Sequence, residues 1–284
     1  MTYTIDTHIH THALSDCCED PLMTIENIAR LLASRGFRAM AVTDHVWDNP
    51  AIPCNEFYRL HPARGVLKQC AEIHSGKYPL KVLAGCEADM RAPGEFGITP
   101  ALKEKLDLVI LSTNHFHMRE FVEQPRPATP ANLGKSMAAF FRSGVCSGLA
   151  DILAHPLFPI GYEELFDQTI ATFSDEELVA LCGEAAIRKI ALEINAGVLH
   201  SIEKHGCSQE SYLRIFTLAR QIGCRFTFGS DAHCLADFDE IQRCETFAKQ
   251  AGITPSLLID IPPMKHGCFM GAVDDGEAAV GTSN

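Results

Sequence analysis

No run in this sequence approaches the roughly 20 consecutive apolar residues that a membrane-spanning helix needs, and Met1 to Asp6 contains no basic segment leading into a long apolar stretch. A membrane or exported protein is therefore not expected, and the cytoplasm is the expected compartment. Cys-x-x-Cys pairs are missing too, although the chain has 12 cysteines. Scattered through a large chain without an export signal, these are expected to be reduced and mostly buried as small hydrophobes. The neighbours Cys17 and Cys18 are poorly suited to chelating one zinc together. Basic residues are scarce: 24 Lys and Arg against 36 Asp and Glu leave a formal charge of -12, with no Lys/Arg cluster resembling a nucleic-acid arm. Nucleic acid is thus not an expected partner. No Gly-x-Ser-x-Gly elbow or other sign of a covalent nucleophile occurs.

What is present is the composition of a soluble globular chain with a large core: 284 residues, 46% hydrophobic and 21% charged, close to the usual length of an α/β barrel. Short β-branched or apolar runs alternate with amphipathic stretches throughout. Strands are expected at 3–5, 39–42, 81–84, 108–111, 152–153, 191–194 and 225–228. Helices are expected at 24–35, 64–75, 132–143, 175–188, 209–221 and 237–250. Ser174 with Glu177 three residues later predicts a capping box at the fourth of these helices. No repeat, linker or composition shift divides the chain, so residues 1–284 are expected to form one domain, with a small, acidic and mobile tail from Gly271.

Histidines and acids fall where expected strands end. The first strand leads into Asp6-Thr7-His8-Ile9-His10, where two histidines one residue apart on extended backbone point to the same side and can chelate one ion. The next strands lead into Asp44-His45, Glu87, His115 and Ala154-His155-Pro156, and the last into Asp231-Ala232-His233. Any one of these could be a cap or a structural group. In a parallel barrel, however, such positions converge at the C-terminal mouth, where chemistry is usually placed. Imidazole with carboxylate suits zinc, manganese or iron, and points to a hydrolytic site.

The ordered motifs Asp6-x-His8-x-His10-Thr11, Ala41-Val-Thr-Asp-His45, Gly85-Cys-Glu-Ala88, Asp151-Ile-Leu-Ala-His-Pro156, Leu192-Glu-Ile-Asn195 and Gly229-Ser-Asp-Ala-His233 resemble the polymerase and histidinol phosphatase (PHP) metal-dependent phosphoesterases from Thr4 to about Pro262. The resemblance implies an α/β fold, a distorted TIM-like barrel of about seven βα units with two or three divalent ions at its mouth. It places one ion on His8, His10, Glu87 and Asp231. Glu87 would bridge to a second ion on His115 and His155, and Asp16, His45 and His233 would take a third. Several relatives have histidine where this chain has Asp16. His115 is preferred over His117 because it matches the motif.

The nucleophile would be hydroxide formed from water shared between ions. Asp231 or a metal-bound water would protonate the leaving group, with Glu87 the bridging carboxylate. Asp6 and Asp44 are placed either to fix a ligand imidazole or to cap a turn. Arg91 and Arg119 are candidates for the substrate phosphate, Asn195 for orienting substrate or water, and His12 for a substrate-facing role. His61, His74, His200, His205 and His266 read as surface or structural. The expected substrate is a small-molecule phosphate monoester. A phosphodiesterase or nuclease and a non-catalytic metal-binding module stay open as alternatives.

Overall fold

The computed structural model describes residues 4–15, 17–261 and 263–265. The expected ligand Asp16, the candidate His266 and the acidic tail from Gly271 lie outside the described residues. Seven strands form one parallel sheet in chain order: β1 (Ile5–Asp6), β2 (Ala39–Val42), β3 (Lys81–Ala92), β4 (Leu108–Ser112), β5 (Ile152–Ala154), β6 (Ala191–Asn195) and β7 (Phe226–Gly229). The first and last edges meet through Thr7 N to Phe228 O (3.0 Å) and Asp231 N to His8 O (2.8 Å), giving a nearly closed, TIM-like barrel. Helices α1 (Ile25–Ser34), α2 (Ala63–Ser75), α3 (Pro130–Cys146), α4 (Asp175–Arg188), α5 (Ala196–Lys204) and α6 (Gln209–Gln221) connect the strands, and α7 (Gln242–Gln250) follows the last of them. The capping box is present: Glu177 N donates to Ser174 Oγ at 3.2 Å and Ser174 N to Glu177 Oε2 at 2.8 Å.

The two-residue period of the strands sorts side chains into two cores. Met40, Val42, Val109 and Leu111 face the helices, while Ala39, Ala41, Leu83, Leu108, Ile110, Ile152 and Ala191 form a separate apolar cluster inside the barrel. Ile259, Ile261 and Met264 pack against the inner cluster, and Ile259 N donates to Phe226 O at 2.9 Å. Following the same faces upward, Leu83 gives way to Glu87, Ala191 to Glu193 and Ile110 to Ser112. The interior is thus apolar at the N-terminal end of the strands and polar at the C-terminal end.

Two features depart from the sequence reading. β3 does not stop at residue 84 but continues to Ala92, paired in register with β4 from Gly85↔Leu108 to Asp89↔Ser112 and with the short strand His45–Val46. Glu87 therefore stands within a strand rather than after one, and its position is set by neighbours on both sides. Helix α5 follows β6 without a loop because Asn195 ends the strand and also caps the helix, its Oδ1 accepting from Val198 N at 2.9 Å. Among the described cysteines, Cys17 and Cys146 are exposed and Cys54, Cys207 and Cys234 half-buried; the rest are buried.

Candidate metal centre

At the polar end of the barrel, six imidazoles and two carboxylates come together. His8 and His10 leave β1 side by side, both buried, with their Nε2 atoms 3.2 Å apart. Glu87 reaches them from β3: its Oε2 is 3.3 Å from His8 Nε2, 3.4 Å from His10 Nε2 and 3.2 Å from His45 Nδ1. Its other oxygen, Oε1, lies 3.6 Å from His115 Nε2 and 3.3 Å from His155 Nε2. One carboxylate thus spans two sets of imidazoles. Asp231 Oδ1 is 3.5 Å from His8 Nε2 and 3.3 Å from His10 Nε2. The His233 ring stacks on that of His10 with centroids 4.4 Å apart.

Four overlapping sets have ligand atoms all within 4.8 Å of one another: His8-His10-Glu87, His8-His155-Asp231, Glu87-His115-His155 and His10-His45-His233. His155 (φ 32°) and Asp231 (φ 57°) sit in left-handed backbone, a conformation that costs about 1–3 kcal/mol and persists only where the surroundings impose it.

The hydrogen-bond partners assign the imidazole tautomers. His8 Nδ1 faces Glu193 Oε1 at 2.8 Å, His155 Nδ1 faces Asn114 Oδ1 at 2.8 Å and His233 Nδ1 faces the Asp231 carbonyl at 2.8 Å. Ser15 Oγ donates to Asp44 Oδ1 at 2.7 Å, so it accepts from His10 Nδ1 at 3.3 Å. Each Nδ1 carries the proton, and each Nε2 presents a lone pair. Those of His8, His10 and His155 converge with the carboxylate oxygens of Glu87 and Asp231. A buried cluster of acceptors is stable only around cations, and imidazole with carboxylate fits zinc, manganese or iron.

Electrostatics agree with this arrangement. Burial would raise Glu87, but His8 and His45 beside it hold it well below the usual carboxylate range. Asp231 is likewise held low against burial by His8 and His10. Burial, with His233 close by, lowers His10 to about 4, and burial lowers His45 to about 4. His8 goes the other way: burial opposes its charge, but Asp231, Glu193 and Glu87 raise it well above its ordinary value. Against burial, His115 is likewise raised, to about 9, by Asp89 and Glu87, so with protons as the only cations the cluster draws them onto His8 and His115.

The PHP domain pattern matches residues 6–197. The chain belongs to the PHP domain family. Asp231 and His233 lie beyond the matched span and complete the cluster from β7. Relatives similar over nearly the whole chain include a probable phosphatase of Aeromonas hydrophila, 26% identical over 269 residues covering 93% of this chain and 92% of that protein. Another, from Vibrio atlanticus, is 27% identical over 271 residues covering 95% and 94%. The fold is shared with the histidinol phosphate phosphatase of Lactococcus lactis, whose crystal structure holds zinc, L-histidinol and phosphate: TM-score 0.56, 18% identity, 88% of this chain and 94% of that one.

Several expected site residues of this PHP domain stand elsewhere. A cavity of ≈380 Å³ opens over the cluster, walled by Cys17, Asn55, Phe57, His117 and Met118. Arg91 and Arg119 do not line it. Arg91 Nε pairs with Glu95 Oε2 at 2.6 Å, and Arg119 lies 3.8 Å over the Tyr162 ring and donates to Gly161 O. Both face a separate cleft of ≈850 Å³, because β3 and the loop after His115 turn outward before reaching these arginines.

His12 is exposed, with Nδ1 2.8 Å from Cys18 O, and lines a cavity that does not include the cluster. Asn195 Nδ2 donates to Glu193 Oε2 (3.1 Å) and Asp231 Oδ2 (3.3 Å), so it steadies Asp231 from below. His117 is on the cavity wall, its ring 5.1 Å from that of His115. Among the remaining histidines, His200 and His205 are exposed, His61 is buried with Nδ1 2.7 Å from Phe57 O, and His74 Nε2 lies 2.9 Å from Asp107 Oδ2.

Asp44 holds His10 through Ser15 and also accepts from Thr11 N (2.6 Å), Thr11 Oγ1 (2.7 Å) and Gln69 Nε2 (2.7 Å). Asp6 takes no imidazole: it accepts the backbone N–H of His8 (3.2 Å) and Ser230 (3.0 Å), strapping β1 to β7. The sequence reading passed over Glu193, Asn114 and Asp89. Asp89 Oδ1 lies 2.6 Å from His115 Nδ1, and Tyr58 Oη donates to Asp89 Oδ2. The two-residue strand period was the available signal, since Asp89 follows Glu87 and Glu193 precedes Asn195 by two.

Proposed function

We propose that this chain is a metal-dependent phosphoesterase that hydrolyses a small-molecule phosphate monoester. The observation that carries the reading is the convergence of Glu87 and Asp231 with the inward-facing Nε2 atoms of His8, His10, His115 and His155 beneath an open cavity. The phosphatase names of the relatives and the histidinol phosphate phosphatase sharing the fold support the reaction class.

In this reading His8, His10, Glu87 and Asp231 hold one divalent ion, and Glu87 bridges to a second on His115 and His155. His45 and His233, with His10 beside them and Asp16 nearby in sequence, serve a third. Bound ions would supply positive charge to the phosphoryl oxygens and make water more acidic. The second row of contacts, Glu193 on His8, Asn114 on His155 and Ser15 on His10, keeps the Nε2 lone pairs aimed inward. Asp231, ionised and partly open to the cavity, accepts the proton of the attacking water. As the water oxygen bonds to phosphorus and the ester P–O bond breaks, that proton passes to the leaving oxygen, giving alcohol and inorganic phosphate. Residues 1–284 act as one domain in this scheme.

The test is phosphate release from a panel of monoesters and diesters, including histidinol phosphate, by metal-stripped protein reloaded separately with zinc, manganese or iron. Metal-dependent release from a monoester supports the reading. No release from any ester at full metal loading would sink it, and cleavage of diesters alone would replace it with the phosphodiesterase alternative.

A further inference from the structure

We propose that the cavity selects monoesters whose leaving group is aromatic or otherwise free of negative charge, and rejects those carrying a second anion. The inference rests on the phosphomonoesterase reading and adds a substrate class to it.

Once a phosphoryl group lies against the cluster, the rest of the substrate meets the cavity wall. Among the described residues, no Lys or Arg lines that wall. The arginines nearest in sequence to the ligands are committed elsewhere, Arg91 to Glu95 and Arg119 to Tyr162 and Gly161, in a cleft that shares no lining residue with the cavity. A carboxylate or second phosphate on the leaving group, held away from the ions by the ester, would therefore lose water against the wall without gaining a cation there. An anion buried without a partner is disfavoured much more strongly than a missing apolar contact.

The wall does offer surface to a flat or apolar group. Phe57 is held by the short helix Glu56–Arg59, its ring centroid 4.4 Å from that of His61 and 5.3 Å from that of His45. Met118 adds a polarisable apolar contact. Asn55 already spends its Oδ1 on Tyr58 N at 3.0 Å, so its amide N–H groups are what it has left to offer, suited to an uncharged acceptor. At ≈380 Å³ the cavity is near the small end of ligand sites, matched to a single ring rather than a polymer.

The test compares kcat/KM of the metal-reloaded full chain on three esters of primary alcohols: 2-phenylethyl phosphate, O-phosphoethanolamine and 3-phosphoglycerate. The first two should exceed the third by at least ~100-fold, as expected where a site leaves a charge unpaired. Phe57→Ala should lower the value for 2-phenylethyl phosphate at least ~10-fold more than that for O-phosphoethanolamine, chiefly through KM. Met118→Lys, which puts a cation on the wall, should narrow the gap to 3-phosphoglycerate by at least ~10-fold. Equal or faster turnover of 3-phosphoglycerate by the unaltered chain would overturn the inference while leaving the phosphatase reading in place. If no ester is hydrolysed, the phosphatase reading falls, and calorimetric titration with 2-phenylethylphosphonate and 3-phosphonopropionate decides selectivity separately. Tighter binding of the first by ~10-fold or more upholds it, and equal affinity overturns it.

Discussion

Replacing Gly229 with alanine should damage the metal centre without replacing any proposed ligand. A Cβ at this position would lie 1.8 Å from Glu193 Oε1, 2.9 Å from Glu193 Cδ and 2.6 Å from His8 Cβ. No relaxation of a few tenths of an ångström resolves a 1.8 Å contact, so the Glu193 carboxylate must leave. It now accepts from His8 Nδ1 (2.8 Å), His155 N (2.7 Å) and Asn195 Nδ2 (3.1 Å), all buried. A hydrogen bond to a charged group contributes about 1.5–3 kcal/mol, and three that share one acceptor do not add in full. The expected loss is about 3–5 kcal/mol, or roughly 6–20 °C in Tm for a chain of this size.

Freed from Glu193, His8 loses the contact that sets its tautomer, which should weaken metal binding about 10–100-fold. Thermal unfolding of metal-stripped protein and competition with a chelator measure the two effects. In a Glu193→Ala background the 1.8 Å contact is gone and only the 2.6 Å approach to His8 Cβ remains, so Gly229→Ala should then cost clearly less than it does in the parent. A Gly229→Ala protein that melts within ~2 °C of the parent and binds metal equally well would refute the account.

Glu87→Gln removes the charge shared by both imidazole sets and should weaken metal binding by more than ~100-fold and abolish turnover; full metal content after dialysis would exclude the bridging role. Burial raises Asp6 to about 7, so the metal-free fold holds a proton there that the unfolded chain releases near its ordinary value. Its contribution is therefore most favourable at low pH and declines as pH rises from about 4 to about 7, by roughly 4 kcal/mol in all. Asp6→Asn should remove that decline, and denaturant unfolding of both metal-stripped proteins at pH 5 and pH 8 would show it as a pH-dependent difference. Arg119→Ala should leave kcat/KM on a monoester within about two-fold of the parent, because Arg119 stacks on Tyr162 away from the cavity; a 100-fold loss in steady-state kinetics would return it to the phosphate.

Ligand candidates were legible in the sequence because strand ends and alternation are local properties. His8 and His10 two apart on extended backbone, and Asp231 two residues past the end of Phe226–Gly229, needed no knowledge of the partner strands. The barrel was legible for the same reason. What sequence could not supply was direction beyond the strand. Arg91 lies four residues past Glu87, yet the strand carries it out of the barrel mouth to Glu95. Contacts that depend on closure, such as Glu193 reaching His8 at a separation of 185 residues, exist only once β6 and β1 have been brought round the same barrel. Helix α5 escaped notice because Asn195 serves as both last strand residue and helix cap, leaving no turn to mark the boundary.

The apolar inner cluster of Ala41, Leu83, Ile110 and Ala191, backed by Ile259, Ile261 and Met264, makes the barrel, among the described residues, a chamber plugged at one end and open at the other. On the phosphomonoesterase reading, traffic through it must be ordered. Phosphate occupies the deep end and the alcohol the doorway, so the alcohol departs first and phosphate last. Phosphate should then compete with substrate for the empty enzyme, while the alcohol should inhibit without competing.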